Sequence, residues 1–370
     1  MSLAPYMKWA KQHPRSRFNL AGSNLLACDV SDLPGAREAL ELHGDNDNGF
    51  RPLIEAIAAT YGVAPDMVVT AQGTSGANFL VFAALVKAGD DVLVERPGYD
   101  PLMGPPLLLG ARVTRFDRRF EDGYRLDPAA VRAAMTDRTR LIVVTNAHNP
   151  TGAMAAESDL IEVGRIAERH GARVLIDEVY LDTATDGPVQ PAAARSPAFI
   201  SSSSLTKSYG LAGLRCGWVL AAPDVAEQVR RARDIVDGTG AFPAERLSVL
   251  AFSLLDRLTA RARRILSANG ATVRQFLAER LDLECVLPGA GTVVFPRLRG
   301  VDDAGPFVGM LAREFQTDVV PGHFFQAPAH FRLGFGGRSE ELAEALAQLA
   351  RALNSRGCAA GPVLARRVPL

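Results

Sequence analysis

From about residue 66 the chain alternates short β-branched runs with longer amphipathic stretches. Residues 67–70, 91–95, 112–116, 141–145, 173–176, 199–202 and 216–220 read as strands, and 76–87, 128–135 and 157–170 between them read as helices. Strands separated by helix-length segments predict a mainly parallel, buried sheet with helices on both faces, an α/β domain over residues 45–240. After Pro243 an Arg-rich helical stretch runs to Arg280, followed by short strands near 292–296 and 331–335. A last helix is predicted over 339–353, with Ser339 as N-cap, Glu340 and Glu341 in the first turn, and leucines 342, 346, 349 and 353 on one face. Residues 241–354 therefore read as a smaller α+β domain, completed by an N-terminal arm over 1–44, and 355–370 as a loose tail.

Composition narrows the class. Of 370 residues, 48% are apolar and 22% charged, ordinary globular usage. Forty-one basic residues balance forty-one acidic ones, so no global field recruits nucleic acid or a membrane surface. The longest clean apolar stretch, 79–86, is far short of a bilayer span, and residues 1–20 carry no apolar h-region. Cys28, Cys216, Cys285 and Cys358 are widely spaced without a His cluster, which signals neither a metal site nor a disulfide framework and fits a reducing cytoplasm. The basic residues are nearly all arginine: only Lys8, Lys11, Lys87 and Lys207 can supply a titratable amine.

Four segments carry chemistry, each just beyond a predicted strand and hence at one edge of a parallel sheet, where such folds bind ligands. In Gln72-Gly-Thr-Ser-Gly-Ala77 a strand turns into an apolar helix whose first amides, with the Thr74 and Ser75 hydroxyls, make an anion site. Asn146-Ala-His-Asn-Pro-Thr-Gly152 places Asn149 at a turn. Asp177-Glu-Val-Tyr180 ends a buried strand with a carboxylate that needs a partner. Ser201-Ser-Ser-Ser-Leu-Thr-Lys207 sets the amine among small residues, with Arg215 eight positions on. Lys8 and Lys11 lie in a polar arm and Lys87 closes a helix, whereas Lys207 has the setting of an amine held for Schiff-base chemistry. A surface-loop lysine, plain turn residues and a structural ion pair are the bland counterparts of these readings.

Taken in this order, the Ser75-Gly76-Ala77, Asn149-Pro-Thr-Gly, Asp177-Glu-Val-Tyr180 and Ser204-Leu-Thr-Lys207 motifs, with Arg215, resemble the fold type I pyridoxal-phosphate enzymes of the aspartate aminotransferase superfamily. The resemblance implies pyridoxal 5'-phosphate as cofactor, held by Lys207 as an internal aldimine. Lys207 would then serve as the base that moves the α-proton on the way to a quinonoid. Asp177 would pair with the pyridinium nitrogen, and Asn149 and Tyr180 would hydrogen-bond the phenolic oxygen. Ser75, the amides of Gly76 and Ala77, Ser204 and Arg215 would hold the phosphate, and Tyr99 would stack on the ring. In Phe331-Arg-Leu-Gly-Phe-Gly-Gly337, alternation turns Arg332 away from Phe331 and Leu333, and glycines 334 and 336 leave its guanidinium room for a substrate α-carboxylate. The resemblance also implies a homodimer with shared active sites, an amino-acid substrate and a 2-oxo acid partner.

Relatives bring a tyrosine from the neighbouring subunit to the phosphate. Here Leu42-His-Gly-Asp-Asn-Asp-Asn-Gly-Phe50 has none, which leaves His43, Asn46 or Asn48 as donors. Transamination through Lys207 is the expected function. The alternative is elimination, replacement or ring closure on an amino acid with a leaving group, as 1-aminocyclopropane-1-carboxylate synthases do with a sulfonium substrate such as S-adenosylmethionine. A dehydrogenase is excluded by the lack of a strand leading into Gly-x-Gly-x-x-Gly. Tyr6, Ser23, Asn24 and His43 are candidates for the pocket wall, with directions the sequence does not fix.

Overall fold

The computed structural model describes residues 4–184 and 190–357; Cys358 and most of the expected tail lie outside them. Helix α1 (Pro5–Gln12) and strand β1 (Phe18–Asn19) precede a loop that leads into α2 (Arg51–Tyr61). The central sheet follows as β2 (Val68–Gln72), β3 (Asp91–Arg96), β4 (Arg112–Asp117), β5 (Thr139–Thr145), β6 (Arg173–Asp177), β7 (Phe199–Ser204) and β8 (Cys216–Leu220). Its seven strands lie in the order β2-β8-β7-β6-β5-β3-β4, and β8 alone runs against the others. The connecting helices are α3 (Gly73–Leu85), α4 (Gly104–Leu108), α5 (Pro128–Ala134), α6 (Glu157–Arg169) and α7 (Leu205–Ser208).

Burial on both faces explains why these strands read as unbroken apolar runs. Successive residues of β5 point oppositely: Leu141 and Val143 join α3 and α8 (Pro223–Val236) through Leu80, Val81, Val225 and Val229. Ile142 and Val144 join α5 and α6 through Val131, Val163 and Ile166. Each such side chain taken out of water contributes about 1.5–3 kcal/mol. The ends are marked locally: Asp127 accepts the Ala129 N–H at 2.9 Å ahead of α5, and α6 has Glu157 and Asp159 in its first turn and Arg169 in its last.

The predicted helix after Pro243 is two helices, α9 (Phe242–Ser253) and α10 (Leu255–Ala278), parted at Leu254. Ala251 and Phe252 of α9 share a cluster with Trp218 and with Leu53 and Ile57 of α2, whereas Val273 of α10 belongs to a second core. That core is built by β9 (Leu283–Glu284), β10 (Val293–Val294), β11 (Arg297–Leu298), α11 (Gly305–Phe315), β14 (Phe331–Gly334) and α12 (Ser339–Gly357), with Val319 between the short strands β12 (Thr317–Asp318) and β13 (Val320–Pro321). Phe18 joins it because β1 pairs in parallel with β12. Two smaller expectations are corrected. Ser339 does not cap α12 but opens it, donating its hydroxyl to Asn269 Oδ1 at 2.7 Å, and residues 355–357 continue the helix instead of starting a tail. Among the described residues no helix is long and apolar enough to cross a membrane.

Candidate active site

Every chemistry-bearing segment leaves the sheet at the carboxyl edge of the parallel strands. Asp177 is the last residue of β6, Thr145 ends β5 four residues before Asn149, and Ser204 ends β7 three residues before Lys207. They converge on a cavity of about 250 Å³, which Ser75, Tyr99, Asn149, Asp177, Tyr180, Ser204, Lys207 and Arg215 all line. Of the expected cofactor residues, Gly76 and Ala77 do not line it: they are the fourth and fifth residues of α3, past the helix start whose amides are free.

Lys207 is half-buried, and its amine donates to Ser23 Oγ at 3.0 Å and Asn24 Oδ1 at 2.6 Å. Burial, with the cations of Arg332 and Arg215, pushes its pKa down to about 8, while Asp177 pulls the other way. An uncharged, nucleophilic amine is therefore accessible near neutral pH. Asp177, only 6% exposed, accepts from Asn78 Nδ2 at 2.9 Å and the Val179 N–H at 3.2 Å. Burial raises its carboxyl above the ordinary range, against these bonds and the Lys207 charge. Among the described residues no cation is bonded to it, so it is suited to receive one from a ligand.

The other end of the cavity suits an anion. The ladder of α3 starts at Gly73, whose N–H donates to Arg215 O at 2.7 Å, and no side chain caps it. The amides left free are those of Thr74 and Ser75, just ahead of Gly76 and Ala77. A Cβ at Gly73 would run into the Arg215 guanidinium, so glycine there lets the cation lie against the helix start. Thr74 Oγ1 donates to Ser204 Oγ at 2.8 Å, and Thr206 Oγ1, whose residue also lines the cavity, is buried without a partner among the described residues. An orphaned hydroxyl among free amides and an arginine fits a phosphate; with Asp177 and Lys207 opposite, the residues fit pyridoxal phosphate.

A second layer fixes the ring-facing groups. Glu95 pairs with Arg118 at 2.9 Å deep in the protein and accepts from the Thr145 N–H at 2.7 Å and hydroxyl at 2.6 Å; Thr145 Oγ1 in turn accepts the Asn149 N–H at 2.8 Å. His148 ties the two turns together. Its Nε2 donates to Pro97 O at 2.9 Å, so its Nδ1 accepts the Thr151 hydroxyl at 2.7 Å. Burial and Arg118 hold it well below the usual imidazole range, and it stays neutral. One neutral imidazole thus joins the turn carrying Tyr99 to the turn carrying Asn149.

Arg332 is fully buried and reaches Asn149 Oδ1 at 3.1 Å, Tyr6 Oη at 2.7 Å and Ala21 O at 3.1 Å, with its Nε unpartnered. The expected role of the neighbouring glycines needs correction. A Cβ at Gly334 would collide with Gly22 O and one at Gly336 with Asn24 O, so these glycines make room for the N-terminal segment and not for the guanidinium. That segment, residues 20–28, is strapped down by backbone bonds from Gly334 N to Leu20 O at 2.7 Å, Leu25 N to Lys207 O at 3.0 Å and Cys28 N to Gly210 O at 3.0 Å. Gly334→Ala should lift it and cost about 1–3 kcal/mol, seen as a lower denaturant midpoint in equilibrium unfolding.

Sequence reasoning missed Thr206, Asn78 and Thr145. Asn78 had a usable signal, since it lies three residues beyond Ser75 on one helix and so faces the same way. Tyr6, Ser23 and Asn24 reach the site, through Arg332 and Lys207, whereas His43 lies exposed in the 42–50 loop. Asn46 is buried and bonded to Gly240 O at 3.0 Å and Glu245 Oε2 at 2.7 Å, so its amide is engaged within the chain. Asn48 is exposed.

Residues 41–349 match the family described as aminotransferase class I and II. The chain is 32% identical to capreomycidine synthase of Streptomyces vinaceus, over 83% of this chain and 80% of that protein. It is 31% identical to a probable N-succinyldiaminopimelate aminotransferase of Mycobacterium tuberculosis, over 76% of this chain and 74% of the other. Among solved structures, a PLP-dependent aminotransferase from Streptococcus suis superposes with a TM-score of 0.90 at 27% identity, covering 96% of this chain and 99% of its own.

Proposed function

The chain belongs to the class I and II aminotransferase family, enzymes that use pyridoxal phosphate, and on that premise we propose that it moves the amino group of an amino acid to a 2-oxo acid with Lys207 as its central residue. The observation that carries this reading is that the Lys207 amine, the buried Asp177 carboxylate and Arg215 line a single cavity, with the buried Arg332 bonded to its wall residue Asn149. When bound, pyridoxal phosphate supplies an aldehyde carbon and an electron-withdrawing ring.

Each residue's task follows from its place. Lys207 would hold the cofactor covalently through its amine and, once released, take the proton from the substrate Cα, a positioned transfer contributing about 10²–10⁴-fold. Asp177 would keep the ring nitrogen protonated, and Asn149 and Tyr180 would set the ring's phenolic oxygen. Ser75, Ser204, Thr206 and Arg215, with the helix start, would anchor the phosphate. Tyr99 would cover the ring face. Arg332, already held by Asn149 and Tyr6, would bind the α-carboxylate through its guanidinium. The exposed His43 and Asn48 of the 42–50 loop support a dimer in which a second copy completes the site; Asn48 Oδ1 accepts from Arg231 within the chain at 3.5 Å, which leaves its NH2 group and the His43 ring to reach across.

Similarity to a protein named as a synthase, together with the missing loop tyrosine, supports a second reading in which the same base serves elimination or ring closure. A spectral screen separates them. If amino acids convert the bound cofactor to its amine form and a 2-oxo acid restores it, transfer is correct. If only substrates with a leaving group turn over and no amine form accumulates, the second reading replaces it.

A further inference from the structure

The strap at residues 20–28 does more than join two parts of the chain. Within four residues it touches three groups of the site: Ala21 O accepts from Arg332 Nη2, Ser23 O accepts the Tyr180 hydroxyl at 3.1 Å, and Ser23 Oγ and Asn24 Oδ1 accept from the Lys207 amine. Ser23 O also accepts the Thr292 hydroxyl at 2.8 Å, so the strap's position is fixed from several sides. Its backbone is clamped to Lys207 itself, through Leu25 N to Lys207 O, and Asn24 lines the cavity. Neither acceptor belongs to the motifs at the strand ends.

We propose that Ser23 and Asn24 are positioning residues that hold the free amine of Lys207 and set the pH at which it reacts. The inference rests on Lys207 being the cofactor lysine. Both oxygens bond the ammonium more strongly than the neutral amine, because a charge-assisted bond is roughly twice as strong as a neutral one. They therefore oppose the groups that disfavour the charge: Arg332 from β14, Arg215 from beyond α7, and burial itself. Asp177 at the end of β6 acts in the same sense as the strap, and Tyr180 meets the strap through Ser23 O. The strap thus tunes the balance between two requirements on one amine. It must be uncharged to add to an aldehyde, and it must hold a proton once it has taken one from Cα.

The test uses the full chain stripped of cofactor. The rate at which free pyridoxal phosphate condenses with the apo-protein, followed by absorbance against pH, reports the amine's own pKa, since only the uncharged amine adds to the aldehyde carbon with loss of water. Asn24→Ala should move the midpoint down by about 0.5–1 pH unit, speeding condensation at pH 7 about 3- to 5-fold. Asn24→Asp, which places a negative charge at the same point, should move it up by about one unit and slow condensation at pH 7 about 10-fold. Ser23→Ala should move it in the direction of Asn24→Ala. Midpoints that coincide with wild type in both folded Asn24 variants, checked by thermal unfolding, overturn the proposal. If wild type itself forms no adduct, the assignment of Lys207 fails instead, so the two failures are distinct.

Discussion

Lys207→Ala is expected to lose activity by at least about 10³-fold, because one amine both holds the cofactor and carries the Cα proton. Lys207→Arg should do no better. Its guanidinium stays protonated and is a poor nucleophile, which is why a chain with so many arginines and four lysines still needs an amine here. Both variants should fold. The Lys207 side chain contributes two hydrogen bonds to a strap that its own backbone and those of Gly210 and Gly334 also hold. Turnover measured with saturating cofactor separates this from weak binding: if activity returned at high cofactor concentration, the lysine would be only an anchor.

Asp177→Asn is the second large effect, a loss of about 10²–10³-fold in turnover, typical of removing one preorganised electrostatic partner. The substitution removes charge with little change in shape. Asn78 Nδ2 now donates to Asp177 and Asn78 Oδ1 accepts the Ser202 hydroxyl at 2.5 Å, so the Asn78 amide can turn over and Ser202 can accept in its place. Stability gives an independent check with a definite sign. Burial raises the Asp177 pKa, so its ionised form costs stability in the apo-protein at pH values above that raised pKa, and the cost is relieved as pH falls towards the ordinary carboxyl range. Asp177→Asn apo-protein should consequently be at least as stable as wild type at neutral pH. A protonated ring nitrogen reverses the balance, so added cofactor should raise the unfolding temperature of wild type more than that of the variant. Equal shifts in the two proteins would count against Asp177 as the nitrogen's partner.

The strand ends were legible because period-two burial and the parallel-sheet rule together place Asp177, Asn149, Ser204 and Lys207 on one edge without any knowledge of tertiary contacts. Arg332 was legible for the same reason, from the alternation of Phe331, Leu333 and Phe335, which all enter the second core. What the sequence hid are pairings between distant segments. Ser23 and Asn24 meet Lys207 across more than 180 residues, and His148 meets Pro97 across 51, separations that no local periodicity reports. Glycines 334 and 336 were noticed but explained wrongly, since the atoms that need their space come from the N-terminal strap. The break at Leu254 was hidden by a different cause. Apolar residues continue through it: Leu258 just beyond the break still packs with Trp218 and α2, and only further along does Val273 reach the second core, a division that is a tertiary event.

The most direct measurement is to reduce the cofactor-loaded protein with borohydride, digest it, and locate the pyridoxyl mass by peptide sequencing. The label should sit on Lys207 alone, at one per chain. A label on Lys8, Lys11 or Lys87, or no stable label, would contradict the assignment on which the whole site is built.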